Sequence, residues 1–302
     1  MATPTGTSLP ARVYYRGDKE VEEEIQLTRL HFTIDEKSGV ATIFWNEPKK
    51  LNRLTVSLIM ELQIVLEQCK RDDRVKALLW TGAGTAFSCG ADFGDPTMVV
   101  DQEIVDGYNK AGKGAMPIVE GASDIALKGL VTQMMDLEKP SICACNGLAV
   151  GGSANFVLLL HDFVLCAPEA KFKYPFTSLG LTPEVGSSFI LPAMIGMPAA
   201  KKMLMLGDWI SAQEVKDVGL ALDVVPQAEL LPKARALAER LAASSATIGM
   251  QKRVIHANFW HRAFHLADAM QAEGETIIES MAQPAFREAL KGFAKRAAKS
   301  KM

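Results

Sequence analysis

One residue of this 302-residue chain stands out as a candidate for acid–base chemistry, and it is a glutamate in an apolar stretch. Glu184 lies in a mostly apolar stretch that runs from Phe176 to Ile195. Burial disfavours an ionised carboxylate and raises its pKa, which suits a general base. The same position also fits a glutamate at a helix start, where the helix dipole favours a negative charge. Position alone favours this second interpretation and leaves the first open.

Two glycine-containing turns each follow a predicted strand. The first is Ser88-Cys89-Gly90-Ala91-Asp92, and the second, Gly147-Leu148-Ala149-Val150-Gly151-Gly152-Ser153, leads into a predicted helix. Unpaired N–H groups at such a helix start can bind a developing negative charge. Two such turns facing each other would form an oxyanion hole. Glycine after a strand more often marks an ordinary turn, so the pattern by itself does not establish a site.

Several other site classes are disfavoured by their missing residues. Gly82-Ala83-Gly84 lacks the third glycine of a dinucleotide-binding turn, and no Gly-Lys-Ser/Thr of a P-loop follows it. The chain has no Gly-x-Ser-x-Gly nucleophile turn and no CxxC pair among its five cysteines. His261 and His265 have helical spacing but no HExxH pattern, which predicts a solvated helix face. The sequence therefore predicts no metal site.

Composition excludes further classes of function. The chain has 33 Lys+Arg against 35 Asp+Glu, a net charge of −2, and only 7% aromatic residues, so nothing favours nucleic-acid binding. Its longest apolar run, Phe156–Leu160, is far shorter than the roughly 20 residues of a membrane span. Hydrophobic residues make up 48% of the chain and charged residues 23%, which is typical of a globular protein.

Periodicity predicts an α/β core followed by helices. Alternating residues predict a hairpin at residues 30–45, and apolar spacing predicts a helix at 55–70 with Thr55 as its N-cap. Strands and helices alternate to about residue 225, which predicts a mostly parallel sheet. We expect a polar arm at 1–26, a core at 27–227 and a helical region at 228–302. Residues 94–123 read as a loop with partial helix, a common form for a lid.

The motifs together resemble the crotonase superfamily, the enoyl-CoA hydratase/isomerase group, over about residues 28–230. The resemblance rests on the order and spacing of Asn46-Glu47-Pro48, Phe87-Ser88-Cys89-Gly90-Ala91-Asp92, Lys139-Pro140, Asn146-Gly147-Leu148-Ala149-Val150-Gly151-Gly152, Leu179-Gly180 and Pro183-Glu184. It implies an α/β spiral core of ββα turns with a C-terminal α-helical trimerisation region, forming a homotrimer or a dimer of trimers. It also implies an acyl-CoA thioester substrate, with coenzyme A as part of the substrate and no separate cofactor. The oxyanion-hole amides would be those of Ala91 and Gly152.

The number and positions of the acidic residues in the matching motifs indicate which subfamily of this group the chain resembles. Hydratases of the family use two glutamates, at positions where this chain has Asn155 (or Ala154) and Phe176. Dienoyl-CoA isomerases also use an acid at the Phe176 position. Glu184 instead matches the single catalytic glutamate of the peroxisomal-type Δ3-Δ2-enoyl-CoA isomerases, whose motif is similar to Leu-Gly-Leu-Thr-Pro-Glu-Val-Gly-Ser-Ser at 179–188. Asn155, Phe176 and Leu181 are expected in the substrate pocket.

The resemblance therefore implies an isomerase of fatty-acid β-oxidation that moves the double bond of a 3-enoyl-CoA. The alternatives are an enoyl-CoA hydratase, another acyl-CoA enzyme such as a hydrolase or decarboxylase, and a non-catalytic acyl-CoA-binding homologue. The terminal Ser300-Lys301-Met302 resembles the Ser-Lys-Leu address of peroxisomal import receptors. A lysine-rich helix end would look the same. We expect a peroxisome or related organelle, with cytoplasm or mitochondrion as alternatives.

Overall fold

The computed structural model describes residues 3–16, 19–95, 98, 122–256 and 264–299. Its strands are β1 (Ala11–Arg16), β2 (Lys19–Ile25), β3 (Leu30–Asp35), β4 (Val40–Trp45), β5 (Ala77–Gly82), β6 (Ala86–Ser88), β7 (Ser141–Cys145), β8 (Leu148–Val150), β9 (Phe163–Cys166), β10 (Lys171–Lys173), β11 (Ile210–Ser211) and β12 (Asp223–Val224). Most of the 94–123 segment, His261 and the terminal Ser300, Lys301 and Met302 lie outside the described residues.

Helices occupy most of the remaining described chain. They are α1 (Val56–Arg71), α2 (Ala122–Asp136), α3 (Gly152–Leu159), α4 (Phe176–Leu179), α5 (Ser187–Ile195), α6 (Met197–Lys201), α7 (Ala212–Asp217), α8 (Gln227–Ala242), α9 (Ser245–His256), α10 (Phe264–Ala282) and α11 (Pro284–Lys299). A 3₁₀ turn at Pro48–Lys50 and a π-helical turn at Lys202–Leu206 complete the set. No described helix has the length and apolar character needed to cross a membrane.

A six-stranded sheet forms the main layer, in the order β12-β9-β7-β5-β4-β3. Only the β3–β4 pair is antiparallel, and the other pairs are parallel. The predicted hairpin is confirmed, with Leu30 opposite Trp45. Every residue of β4, β5 and β7 is buried, since α1 covers one face of the sheet and α8 the other. This is the sheet-and-helix layering that the alternating pattern predicts.

A second, four-stranded sheet in the order β11-β10-β8-β6 positions the two glycine-containing turns. Strands β6 and β8 run parallel, with Ser88 opposite Ala149. The carboxyl ends of neighbouring parallel strands lie at the same edge of a sheet, so the turns that follow Ser88 and Val150 are neighbours. The sequence predicts a turn at 147–153, whereas the structure has strand β8 there, since three residues are too few to show a periodicity.

The polar arm expected at residues 1–26 contains two paired strands in its described part. Strands β1 and β2 form an antiparallel hairpin, with Ala11 opposite Ile25. Ala11 is fully buried, and the backbone N–H of Arg12 donates to Gln68 Oε1 of α1 at 2.9 Å. The polar arm expected at 1–26 therefore contains paired strands at 11–16 and 19–25, because strand pairing satisfies their backbone groups and α1 contacts β1.

The C-terminal helices pack largely on the core of their own chain. Helix α8 contacts β5 and β7, α10 contacts α5, and α11 contacts α4. Met270, Ile278, Met281 and Phe286 are buried in these contacts. An amphipathic tail needs an apolar partner surface, and the core of the same chain supplies one. Trimerisation through this region, and a domain boundary near residue 227, remain predictions.

A buried hydrogen-bond network lies just beyond the C-terminal end of α3. His161 Nδ1 lies 2.8 Å from Ser141 Oγ, which also accepts a hydrogen bond from Trp80 Nε1 at 3.0 Å. The imidazole packs edge-on against Phe156, with ring centroids 4.8 Å apart. Burial, aided by the positive charge of Lys252, lowers the pKa of His161 to about 3. His161 is thus a structural residue, as its place at the end of an apolar helix predicts.

This network makes stability depend on pH. An unfolded histidine titrates near pH 6.5, whereas folded His161 stays neutral down to about pH 3. The unfolded chain therefore binds more protons in this window, so the stabilisation is complete above pH 6.5 and is lost as the pH falls towards 3. We expect the free energy of unfolding to lose up to about 1 kcal/mol per pH unit from this group. Denaturant unfolding of the wild type and of His161→Asn between pH 7 and 5 checks this, and equal slopes in the two proteins would contradict it.

Candidate active site

A cavity of about 640 Å³ lies beside the edge of the second sheet where the two turns meet. Its wall is mainly apolar and comes from the turns, from α4 and from α10. Five of the predicted site residues line it: Ala91, Gly152, Phe176, Leu181 and Glu184. The cavity therefore combines both predicted oxyanion-hole residues with the predicted catalytic carboxylate.

Glu184 lies in the turn between α4 and α5, and buried groups donate hydrogen bonds to its backbone carbonyl. Its carbonyl oxygen accepts hydrogen bonds from Ser187 N at 3.1 Å, from Ser187 Oγ at 2.7 Å and from Asn155 Nδ2 at 2.8 Å. Asn155 is fully buried in α3 and is not part of the cavity wall. The prediction of Asn155 in the substrate pocket thus differs from its observed place, because its side chain points to the Glu184 backbone.

Gly152 brings the start of α3 against the Glu184 carboxylate. It is the first residue of α3, so its N–H has no acceptor one turn earlier in the helix. A Cβ atom at this position would lie only 2.8 Å from Glu184 Oε1 and 3.3 Å from Leu54 Cδ2. The missing side chain therefore lets the start of α3 and the Glu184 carboxylate approach each other closely.

The turn that contains Ala91 is hydrogen-bonded to the backbone of Leu54. These bonds direct the Ala91 N–H away from Leu54. Leu54 N donates to Gly90 O at 2.8 Å, and Asp92 N donates to Leu54 O at 2.9 Å. In such a parallel bridge the residue between the two bonded ones directs its own N–H to the opposite side. Gly90 has φ of +86° and lies so close to Val150 O that a Cβ atom would be 2.6 Å from it. Glycine at 90 thus lets the two turns approach each other.

Glu273 is a second carboxylate of the cavity wall that sequence reasoning missed. It lies on α10 and is buried, and it accepts backbone hydrogen bonds from Gly186 and Ser188. Its position on the apolar face of α10, four residues before Ile277, was the available signal, because a charge on such a face needs a buried partner.

The backbone amides and the carboxylate of this cavity are of the types that can act together in acid–base chemistry. Backbone amides at the ends of two parallel strands can stabilise an oxyanion, and a carboxylate beside them can move a proton. A mainly apolar lining strengthens both interactions, because its effective dielectric constant is lower than that of water. The fold and the site together define an α/β protein whose cavity places backbone amides of two strand-following turns beside a carboxylate.

Comparison with known proteins gives the family. The family model described as enoyl-CoA hydratase/isomerase matches residues 35–300. The chain therefore belongs to the enoyl-CoA hydratase/isomerase family of acyl-CoA enzymes, within the crotonase superfamily, and its crotonase-like α/β fold with C-terminal helices is confirmed.

Individual relatives of this chain differ in activity. The chain is 33% identical to the 1,2-epoxyphenylacetyl-CoA isomerase of Escherichia coli over 221 residues, which cover 73% of this chain and 79% of that one. It is 31% identical over 194 residues to enoyl-CoA delta isomerase 2 of Rattus norvegicus, covering 64% of this chain and 46% of that protein. A crystal structure of an enoyl-CoA hydratase from Mycobacterium avium subsp. paratuberculosis superposes with a TM-score of 0.75 at 26% identity, covering 90% of this chain and 97% of that one. These relatives include both isomerases and a hydratase.

Val185 narrows the cavity from a strained backbone position. Its φ is +60°, in the left-handed region that β-branched residues rarely adopt, and its side chain is buried in the cavity wall. This conformation costs on the order of 1–2 kcal/mol per residue. The strain persists because the hydrogen bonds to Glu184 O and Gly186 N hold the turn on both sides of Val185.

Replacing Val185 is expected to change acyl selectivity. Val185→Gly removes three carbons from the wall, so kcat/KM for a branched or longer acyl-CoA should rise about tenfold relative to a short straight one. Val185→Ala is the matched control, since it widens the cavity but keeps the left-handed strain. We expect Val185→Gly to unfold at a higher temperature than Val185→Ala, as measured by calorimetry. Unchanged relative kcat/KM values in both variants would show that Val185 does not limit the acyl site.

Proposed function

We propose that this protein is a Δ3-Δ2-enoyl-CoA isomerase of fatty-acid β-oxidation in which Glu184 alone moves the proton. The observation that supports this most directly is the close approach of Glu184 Oε1 to Gly152, within the same cavity as Ala91. The rat relative named enoyl-CoA delta isomerase 2 supports the same activity.

Each step uses a group of the cavity. The Glu184 carboxylate removes a proton from C2 of a 3-enoyl thioester. The electron pair moves into the thioester carbonyl, and the Ala91 and Gly152 N–H groups donate to the resulting oxyanion. The Glu184 carboxylic acid then returns the proton at C4, and the double bond moves from C3–C4 to C2–C3. One acid/base residue is enough, since one proton leaves and one returns.

Hydration is the second candidate, and Glu273 is the observation that favours it. Two carboxylates line the cavity, and hydration uses two, one to activate water and one to protonate the substrate. Both oxygens of Glu273, however, accept hydrogen bonds from backbone amides at 2.8 Å. At the positions of the usual hydratase glutamates, Asn155 supports the backbone and Phe176 is an apolar wall residue. These contacts favour the single-carboxylate reaction.

An ultraviolet assay of the purified protein separates these candidates. With a trans-3-enoyl-CoA, a rising absorbance from the conjugated 2-enoyl thioester supports isomerisation. No rise, with a falling absorbance when 2-enoyl-CoA is supplied, supports hydration. A protein that is silent in both assays would contradict both candidates and favour another acyl-CoA reaction or a binding role.

Location and assembly belong to the same proposal. Import through Ser300, Lys301 and Met302 into a peroxisome, and assembly as a homotrimer or a dimer of trimers, remain proposals that rest on the sequence. The proposed substrate is an acyl-CoA thioester, and the proposed reaction uses no other cofactor.

A further inference from the structure

Helix α10, in the C-terminal region, makes two hydrogen bonds to the turn that contains Glu184. Glu273 on this helix is 7% exposed. Its Oε2 accepts a hydrogen bond from Gly186 N, and its Oε1 accepts one from Ser188 N, both at 2.8 Å. The two partners are 87 and 85 residues earlier in the chain. One buried carboxylate thus bridges two distant segments of the fold.

The two amides belong to the start of helix α5. Gly186 is the N-cap of α5 and Ser188 is its second residue, so both N–H groups lack acceptors within the helix. The side chain of the cap residue itself cannot help, because it is glycine. A carboxylate at this end also interacts favourably with the helix dipole. Glu273 therefore completes the cap of α5 from outside the helix.

The same turn has an unfavourable backbone that needs such support. Val185 and Gly186 are consecutive residues with φ of +60° and +72°. Asn155 and Ser187 bind the carbonyl oxygen of Glu184 on one side of these two residues, and Glu273 binds the amides of Gly186 and Ser188 on the other. Hydrogen bonds thus hold the backbone on both sides of Val185, and they fix the direction in which the Glu184 side chain points.

Glu273 also connects this turn to the cavity wall. Met270, Gly274 and Ile277 of α10 line the cavity that contains Glu184. A thioester in the cavity that contacts α10 is thereby coupled through Glu273 to the turn that holds the proposed base. Since its oxygens are engaged with amides, Glu273 is placed to orient Glu184 rather than to exchange a proton with the substrate.

We propose that Glu273 is a positioning residue, which holds the 184–188 turn so that the Glu184 carboxylate faces Gly152. This inference rests on the proposed role of Glu184 as the base. Glu273→Gln keeps the size of the side chain but places an NH₂ group against one of the two amide donors. Loss of one hydrogen bond frees the turn, and a displacement of about 1 Å at a reacting group can cost about 100-fold in rate.

The test measures proton removal separately from product formation. A 3-enoyl-CoA that carries deuterium at C2 is incubated with enzyme in H₂O, and the exchange of deuterium out of C2 is followed by NMR at saturating thioester. We expect Glu273→Gln to lose at least about tenfold in this rate, with KM changed less than about threefold. Amide exchange of the 184–188 peptide should become at least about tenfold faster. The control Glu275→Gln, an exposed position on the same helix, should match the wild type in all three.

The outcomes distinguish positioning from a purely structural role. Faster amide exchange with a C2 exchange rate within twofold of wild type would overturn the proposal, as would unchanged amide exchange. Glu273→Asp keeps both oxygens but withdraws them by one methylene, so we expect an intermediate C2 exchange rate. This variant supplies the same test if Glu273→Gln does not fold. If the wild type exchanges C2 but forms no 2-enoyl product, the isomerase function fails, and the rate ratio still decides the role of Glu273.

Discussion

Glu184→Gln is expected to reduce kcat for the isomerisation of a trans-3-enoyl-CoA by about a thousandfold or more. Glutamine has nearly the same shape as glutamate, but its amide cannot accept the C2 proton. The turn itself should persist, because the hydrogen bonds from Asn155 and Ser187 go to the backbone carbonyl of residue 184, which the replacement retains. The ultraviolet assay measures the loss, and calorimetry measures whether folding is preserved.

A control variant makes this result specific to the cavity. Glu169→Gln makes the same chemical change at an exposed position outside the cavity wall, and we expect wild-type kcat from it. Binding of a 2-enoyl-CoA to Glu184→Gln, measured by calorimetric titration, should stay within about threefold of wild type, since the lost group acts in the transition state. Full turnover by a folded Glu184→Gln protein would exclude the single-carboxylate mechanism.

Gly152→Ala has the second-largest expected effect, a fall in kcat of about 100-fold, because misplacing a reacting group by about 1 Å costs on that order. The added methyl would lie 2.8 Å from Glu184 Oε1, closer than such contacts occur, so the carboxylate must move. The backbone N–H of residue 152 is retained in this variant, so the expected loss comes from displacement of the proposed base.

Gly249→Ala is the matched control for this second variant. Gly249 lies in helix α9, outside the wall of the cavity, and an added Cβ would lie 3.3 Å from Glu138 O. We expect this replacement to leave kcat within about twofold of wild type, because nothing in the cavity contacts it. If Gly152→Ala retained more than about a tenth of the wild-type kcat, the close approach of the Glu184 carboxylate to Gly152 would not be needed for the reaction.

The predictability of each element follows from its length and its partners. The hairpin β3–β4 and helix α1 were predicted closely, with Thr55 accepting from Leu58 N as the N-cap should. These elements have at least six residues, enough for a periodicity to appear. The strands of the second sheet have three residues or fewer, and their existence depends on neighbours that are distant in sequence.

The candidate site divides in the same way. Glu184, Ala91 and Gly152 stand in local motifs, and the structure brings all three to one cavity. Asn155 is expected in the pocket because it occupies the position of a hydratase glutamate, but the resemblance does not show whether its side chain faces a substrate or a backbone carbonyl, here that of Glu184. Glu273 was missed because its partners, Gly186 and Ser188, are more than 80 residues away, and no spacing in the chain links them.

The sequence alone therefore determined the alternation of strands and helices around the six-stranded sheet, the family, and the types of group available for chemistry. These properties depend on side-chain periodicity and on short motifs, which act over a few neighbouring residues. The tertiary structure alone decided that β6 and β8 lie side by side, that Gly152 faces the Glu184 carboxylate, and that α10 closes the cavity and caps α5. Such contacts result from packing between segments that are distant in the chain, so no local pattern specifies them.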